Sequence, residues 1–166
     1  MFRLPPVLAQ PVASWAHLYS HSTVASTTIV FLHVGALVVG GGLAIALDRA
    51  TLRHHHRDAT ARALHLAELG SAHRVVLGSL ALAFASGVAL MAADLETFVG
   101  SWVFWLKMAL LALLLGNGAL MNRVELRLRS DRDTERAWRL LRPIAVASIV
   151  LWLAITLAGV ALASAA

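Results

Sequence analysis

No cysteine occurs in the 166-residue chain, so a small fold stapled by disulfides is excluded. Charge is scarce as well. Asp, Glu, Lys and Arg together make up 14% of the residues, where a soluble domain carries about 25%. Lysine occurs once, at Lys107. Serine-nucleophile, phosphate-loop and paired-carboxylate motifs are missing, so a hydrolase or a kinase is not indicated. What fills the space is apolar: 59% of the residues, with a mean hydropathy of +0.75. Such a chain has too little polar surface to coat itself in water, and its hydrophobicity excludes intrinsic disorder.

The apolar residues are gathered into four runs. A bilayer core about 30 Å thick needs roughly 20 apolar residues of helix. Val24–Leu47, Val75–Ala93, Trp102–Met121 and Pro143–Ala163 qualify, and only the third holds a charge, Lys107. In lipid these runs must be helices, since an extended strand would leave its backbone groups unpaired. The expected fold class is therefore all-α, a polytopic integral membrane four-helix bundle. Residues 24–166 form its single membrane domain, and 1–23 form an interfacial N-terminal segment carrying Trp15 and Tyr19 at headgroup depth. Pro5, Pro6 and Pro11 interrupt any signal-like apolar run in that segment. Pro143 suits the first turn of the fourth helix, where a missing N–H costs nothing.

The sequence pI is near 11.3, but the bases form no groove or stripe of the kind that holds nucleic acid. Arginines 49, 53, 57, 62 and 74 lie in the first connection, and arginines 123, 127, 129, 132, 136, 139 and 142 in the third. The second connection, Asp94–Ser101, has two acids and no base. The positive-inside rule then puts the first and third connections in the cytoplasm of a bacterial-type inner membrane, with both termini outside. The first connection is about 27 residues long, with a helical pattern over Ala59–Leu69. The third continues its helix past the membrane as a solvated segment. The expected partners are the lipid bilayer and either a second copy of the chain or other membrane subunits.

Polar groups inside apolar spans are costly and so informative. His33 shares a helix face with Ser26, Ala36, Gly40 and Ala44, a small-residue stripe that lets helices approach closely. It therefore points inward. Two readings of it stand: a haem or metal ligand or proton-handling group, and a histidine hydrogen-bonded across a helix interface. Lys107 lies about 8 Å and His33 about 14 Å from the outer helix ends by helix rise. They are close enough in depth to line one cavity, with Lys107 meeting an anionic ligand. The alternative has Lys107 snorkelling outward to Asp94 or Glu96.

Asn117, between Gly116 and Gly118, reads as interhelical glue, and Ser148, Trp152 and Thr156 as a packing row. On the second span Gly78–Ala81–Ala85–Ala92 is the expected small-residue face. His73 lies off that face and about 20 Å in depth from His33. His17 and His21, one turn apart at the outer surface, could hold a soft or borderline metal between them, with Met91 and Met108 near the same surface suiting copper; a copper-handling role would use His33 as well. The run Arg53–Arg57 with His54, His55 and His56 reads as a solvated lipid-facing patch.

The run FLHVGALVVGGGLAIALDRATLRHHH resembles the first span of the HemJ-type protoporphyrinogen oxidases, with His33, Arg49 and His54 at matching positions. WVFWLKMALLALLLGNGAL resembles a later span of that family in its lysine, here Lys107, and RLLRPIAVASIVLWLAI its last span in the leading proline. LHVGALVVGGG and WLKMALLALLL are also similar to the copper-resistance D proteins. The first resemblance implies an inner-membrane protein that binds haem b or porphyrin and passes electrons to a membrane acceptor. His33 and Lys107 would be its catalytic pair, and His33, Lys107, Arg49, His54 and Asn117 its cofactor contacts. Asn117 stands where that family tends to have a second histidine, and Leu141-Arg142 replaces an Asn-Glu pair before Pro143, which implies altered or reduced chemistry. The second resemblance implies copper handling. A non-catalytic accessory subunit of a membrane complex is the third expectation.

Overall fold

A computed structural model describes residues 6–53, 59–130 and 134–165. These are helical almost throughout, with no strand among them. In chain order they form α1 (Pro6–His21), α2 (Thr23–Arg53), α3 (Ala59–Ala93), α4 (Leu95–Gly100), α5 (Trp102–Arg129) and α6 (Thr134–Ala165). Four stretches are long and apolar enough to cross a membrane: Thr23–Arg53, Leu64–Ala93, Trp102–Arg129 and Ala137–Ser164. Their outer faces carry large apolar side chains in the open, such as Phe31, Phe84, Leu113 and Leu157. That pattern suits contact with lipid rather than water.

All four helices overrun the expected spans at the same end, the one that carries the arginine-rich connections. The first connection is shorter than the sequence suggests, because α2 continues to Arg53 and α3 begins at Ala59. Pro143 does not open a helix. It lies inside α6, which starts at Thr134, so one intrahelical hydrogen bond, to the Arg139 carbonyl, is lost. Arg139 is exposed, so water can take up that carbonyl. Pro11 likewise sits within α1. At the opposite end Asp94 caps α4, accepting from the Thr97 N–H at 3.3 Å. α1 packs on α3 and α2, and Trp15 Nε1 donates to the Ala89 carbonyl at 2.8 Å.

The long helices pack in the order α3, α2, α6, α5, and α3 and α5 barely touch along their backbones. Glycine makes the central contact between α2 and α6. A Cβ on Gly41 would stand 2.9 Å from the Trp152 ring, and one on Gly40 would stand 2.7 Å from the Ser79 Cβ of α3. Gly42 and Gly35 face open space. The face of α3 that packs carries Ala72, Ser79, Ala83 and Ser86. Of the expected Gly78–Ala81–Ala85–Ala92 face, the first three residues are exposed and only Ala92 is half-buried. Both rows are made of small residues, and only the position of α2 selects between them.

Two arginines tie the helices together at the arginine-rich end. Arg142 of α6 donates to the Leu52 carbonyl at 3.2 Å, one of the last four carbonyls of α2, which have no helical partner. Arg129 of α5 donates to the Leu66 carbonyl of α3 across the gap between those helices. Gly70 makes room for it, since a Cβ there would meet the guanidinium at 2.7 Å. Beneath these ties Leu141 and Ala145 are fully buried among Met121, Val124, Leu128 and Ile144.

Overpacking a close helix contact costs about 1–3 kcal/mol. Gly40→Val should therefore lower the thermal unfolding midpoint in detergent, whereas Gly42→Ala should leave it unchanged.

Candidate functional site

The gap between α3 and α5 is not filled by side chains from either helix. It contains two cavities, and Trp152 of α6 lines both. The one nearer α4, about 230 Å³, is lined by His33, Lys107, Met91, Met108, Phe98 and Phe104 among others. It adjoins a groove of about 570 Å³ between α2 and α6, which shares His33, Leu37, Lys107 and Trp152. Together they fall in the size range of small-molecule sites, about 300–1,000 Å³.

His33 meets both of its expected descriptions at once. Its Nδ1 lies 2.9 Å from the Ala83 carbonyl and 3.1 Å from Ser86 Oγ on α3. A carbonyl can only accept, so Nδ1 carries the hydrogen. The Ser86 hydroxyl donates to the Leu82 carbonyl at 2.7 Å, which leaves its oxygen free to accept from His33. The neutral ring then has an unprotonated Nε2, and that atom has no hydrogen-bond partner among the described residues. A ligating histidine is held in this way, with its second nitrogen donating to a backbone carbonyl. Gly87 permits the approach, for a Cβ there would stand 3.2 Å from the His33 ring.

Lys107 is half-buried on α5, on the same cavity as His33. It does not reach Asp94 or Glu96. No carboxylate lies within ion-pair distance of it among the described residues. Its Nζ lies 3.5 Å from where a Gly159 Cβ would be, so the ammonium turns toward α6 and the groove. An ammonium on an apolar cavity wall without an acceptor is poised for an anionic or strongly accepting ligand group.

The other expected site residues are not gathered here. Asn117 lies about 15 Å along α5 from Lys107 by helix rise. It lines the second cavity, and its Nδ2 donates to the Ile144 carbonyl at 3.2 Å, so it ties α5 to α6. Arg49 is exposed at the arginine-rich end, about 24 Å along α2 from His33. His54 lies outside the described residues, as do His55, His56 and Arg57. His17 and His21 stack with ring centroids 4.1 Å apart, and His21 Nδ1 lies 2.9 Å from the His17 carbonyl. No group of three or more His, Asp or Glu side chains that could hold a metal occurs among the described residues.

The fold also assembles residues that their spacing does not connect. Met91 and Met108 belong to different helices yet share the cavity of His33. Phe98 and Phe104 close it on the α4 side, with ring centroids 6.1 Å apart and near-perpendicular planes. Thr51 and His65, buried between α2 and α3, form a side-chain hydrogen bond of 2.9 Å. No family model, curated protein or solved structure matches the chain.

If the Ala83 carbonyl sets the His33 tautomer, ring ¹⁵N shifts of the neutral protein should show Nδ1 protonated and Nε2 bare. Ser86→Ala should leave that pattern unchanged, and a reversed tautomer would contradict the assignment.

Proposed function

We propose that this chain is a haem- or porphyrin-associated membrane protein, a four-helix bundle of the bacterial inner membrane with a redox role related to that of the HemJ-type enzymes but altered in chemistry. The observation that carries the reading is that His33, its Nδ1 hydrogen spent on the Ala83 carbonyl and its Nε2 without a hydrogen-bond partner among the described residues, lines the same cavity as Lys107. His33 would hold the haem iron through its imidazole. Lys107 would take a propionate, an interaction of the charge-assisted kind. The apolar and aromatic walls suit the face of a macrocycle, and the adjoining groove offers room beyond the smaller cavity. Met91 and Met108 supply thioether sulfur on the same cavity, and His/Met ligation raises the reduction potential of a haem. A haem bound there would supply one-electron chemistry. The protein's own contribution is to orient the imidazole through Ala83, to place a positive charge at the ligand's anionic edge and to exclude water with Phe98 and Phe104.

The same three side chains, His33, Met91 and Met108, favour copper as the second reading, because imidazole and thioether together are a soft donor set. That reading makes the chain a copper-handling protein similar to the copper-resistance D proteins, with His17 and His21 as an outer waystation.

Absorption spectra of the oxidised and dithionite-reduced protein, with iron and copper quantified on the same sample, separate the two. The haem reading expects a Soret band and near-stoichiometric iron, lost in His33→Ala with expression intact. Lys107→Ala should weaken haem affinity about ten- to a hundredfold, the equivalent of the roughly 1.5–3 kcal/mol of a hydrogen bond to a charged group. Copper without a porphyrin band, reduced in the Met91→Leu/Met108→Leu double variant, would replace that reading with the second. An empty protein that does not take up added haem, and that co-purifies with other subunits, would make it an accessory subunit.

The same reading puts the arginine-rich α2–α3 and α5–α6 connections on the cytoplasmic side, by the positive-inside rule. The cysteine-free sequence makes this simple to check. In intact cells an impermeant maleimide should label Ser101→Cys and not Ser130→Cys, and the reverse pattern would invert the topology.

A further inference from the structure

The second cavity in the α3–α5 gap lies toward the arginine-rich end and measures about 330 Å³. It is separate from the cavity of the proposed haem site, although Leu80, Leu114 and Trp152 line both. Two carboxylates line it, Asp48 from α2 and Glu125 from α5, and each residue is 4% exposed. The Ser148 hydroxyl hydrogen-bonds the Asp48 carboxyl group, but Asp48 Oδ2 is buried without a hydrogen-bond partner among the described residues. Neither acid is ion-paired within 4 Å to a base among the described residues. Yet this end of the molecule is crowded with arginine.

Arg129, one turn beyond Glu125, lends that carboxylate some positive charge from outside ion-pair distance while donating to the Leu66 carbonyl, and Arg142 donates to the Leu52 carbonyl. Arg49, Arg74 and Arg123 are exposed, so their repulsion of a cation is screened by salt. A buried carboxylate left unpaired in such a place is costly, and a native structure keeps one where something comes to meet it. The cavity is too large for a bare ion, being at the lower end of ligand-sized pockets, about 300–1,000 Å³. Its donors do not include a cluster fit for a metal. The remaining wall is apolar, with Leu80, Leu114 and the Trp152 ring among its members. An aromatic face beside carboxylates is a favourable surface for an ammonium group.

We propose that this cavity binds an organic ammonium cation with an apolar body, its charge held by Asp48 and Glu125 and its body lying against Leu80, Leu114 and Trp152. The cation enters sideways, between α3 and α5, where the backbones do not close on each other. Asn117 lines the same wall, but its amide is spent on the Ile144 carbonyl, so it limits the cavity rather than binding the charge.

Equilibrium dialysis of the full chain in detergent against radiolabelled benzyltrimethylammonium tests this, because that charge does not titrate. The expected result is saturable binding of one cation per chain, with the neutral isostere neopentylbenzene competing at least tenfold less well. Asp48→Asn and Glu125→Gln should each weaken binding tenfold or more, while Glu96→Gln, which removes an exposed carboxylate of the same charge, should not. If Asp48→Asn fails to fold, Glu125→Gln and the isostere comparison decide. Non-saturable uptake, equal competition by the neutral isostere, or wild-type affinity in the foldable carboxylate variants would overturn the proposal. The measurement needs no haem, so its failure and the failure of the haem reading are independent.

Discussion

The interior is organised by one contact, the indole of Trp152 against the bare backbone of Gly41. Trp152 is 3% exposed and lies where a Cβ at position 41 could not stand. Apolar side chains gain little from packing together when lipid is equally apolar, so helix association depends on close approach and on hydrogen bonds. Gly40 and Gly41 provide the close approach, bringing α2 against α3 on one side and α6 on the other. The ring is also too large to leave the centre open. It fills the middle of the gap between α3 and α5 and so divides that gap into two compartments of opposite character: one with a cation and an imidazole, the other with two carboxylates.

The polar groups of these helices fall into satisfied and unsatisfied ones, and both compartments hold some of the latter. Ser86, Thr51, Asn117 and the Nδ1 side of His33 all find partners across or within helices. They act as glue, as polar side chains in apolar helices commonly do. Lys107, Asp48 Oδ2 and the Nε2 side of His33 do not among the described residues. Each of those three residues lines a cavity, and each carries a group that would gain from a complementary ligand. Polar atoms in apolar helices are functional candidates by default, and here the hydrogen-bond inventory separates the structural ones from the rest.

Much of the fold was legible in the sequence, because four apolar runs of roughly twenty residues, with Lys107 the one charge among them, leave few alternatives. The inward direction of His33 was legible too, since Ala36 and Gly40 mark its face by size alone. Other features were not. The small-residue face of α3 was misassigned because that helix carries two such rows, and period alone cannot rank them. Pro143 was read as a helix start because the apolar run begins there, but α6 starts nine residues earlier, in a polar segment that hydropathy does not mark. Asp48 was counted as the first residue of a connection, and Glu125 as one charge in an arginine-rich solvated stretch. Only their burial shows that they belong to the interior. Met91 and Met108, seventeen residues apart on different helices, had no spacing that could join them to His33.

Sequence alone therefore determined the helical class, the four long apolar helices, the asymmetry of charge between their ends and the identity of the polar residues worth following. These are one-dimensional properties, set by composition and by a period of 3.6 residues. Tertiary structure decided which of those residues share a cavity, which are already satisfied, and where a gap remains. That depends on the rotation of each helix about its axis and on which neighbours meet. Close contacts such as Gly41 with Trp152 set both, and neither is encoded in any single helix.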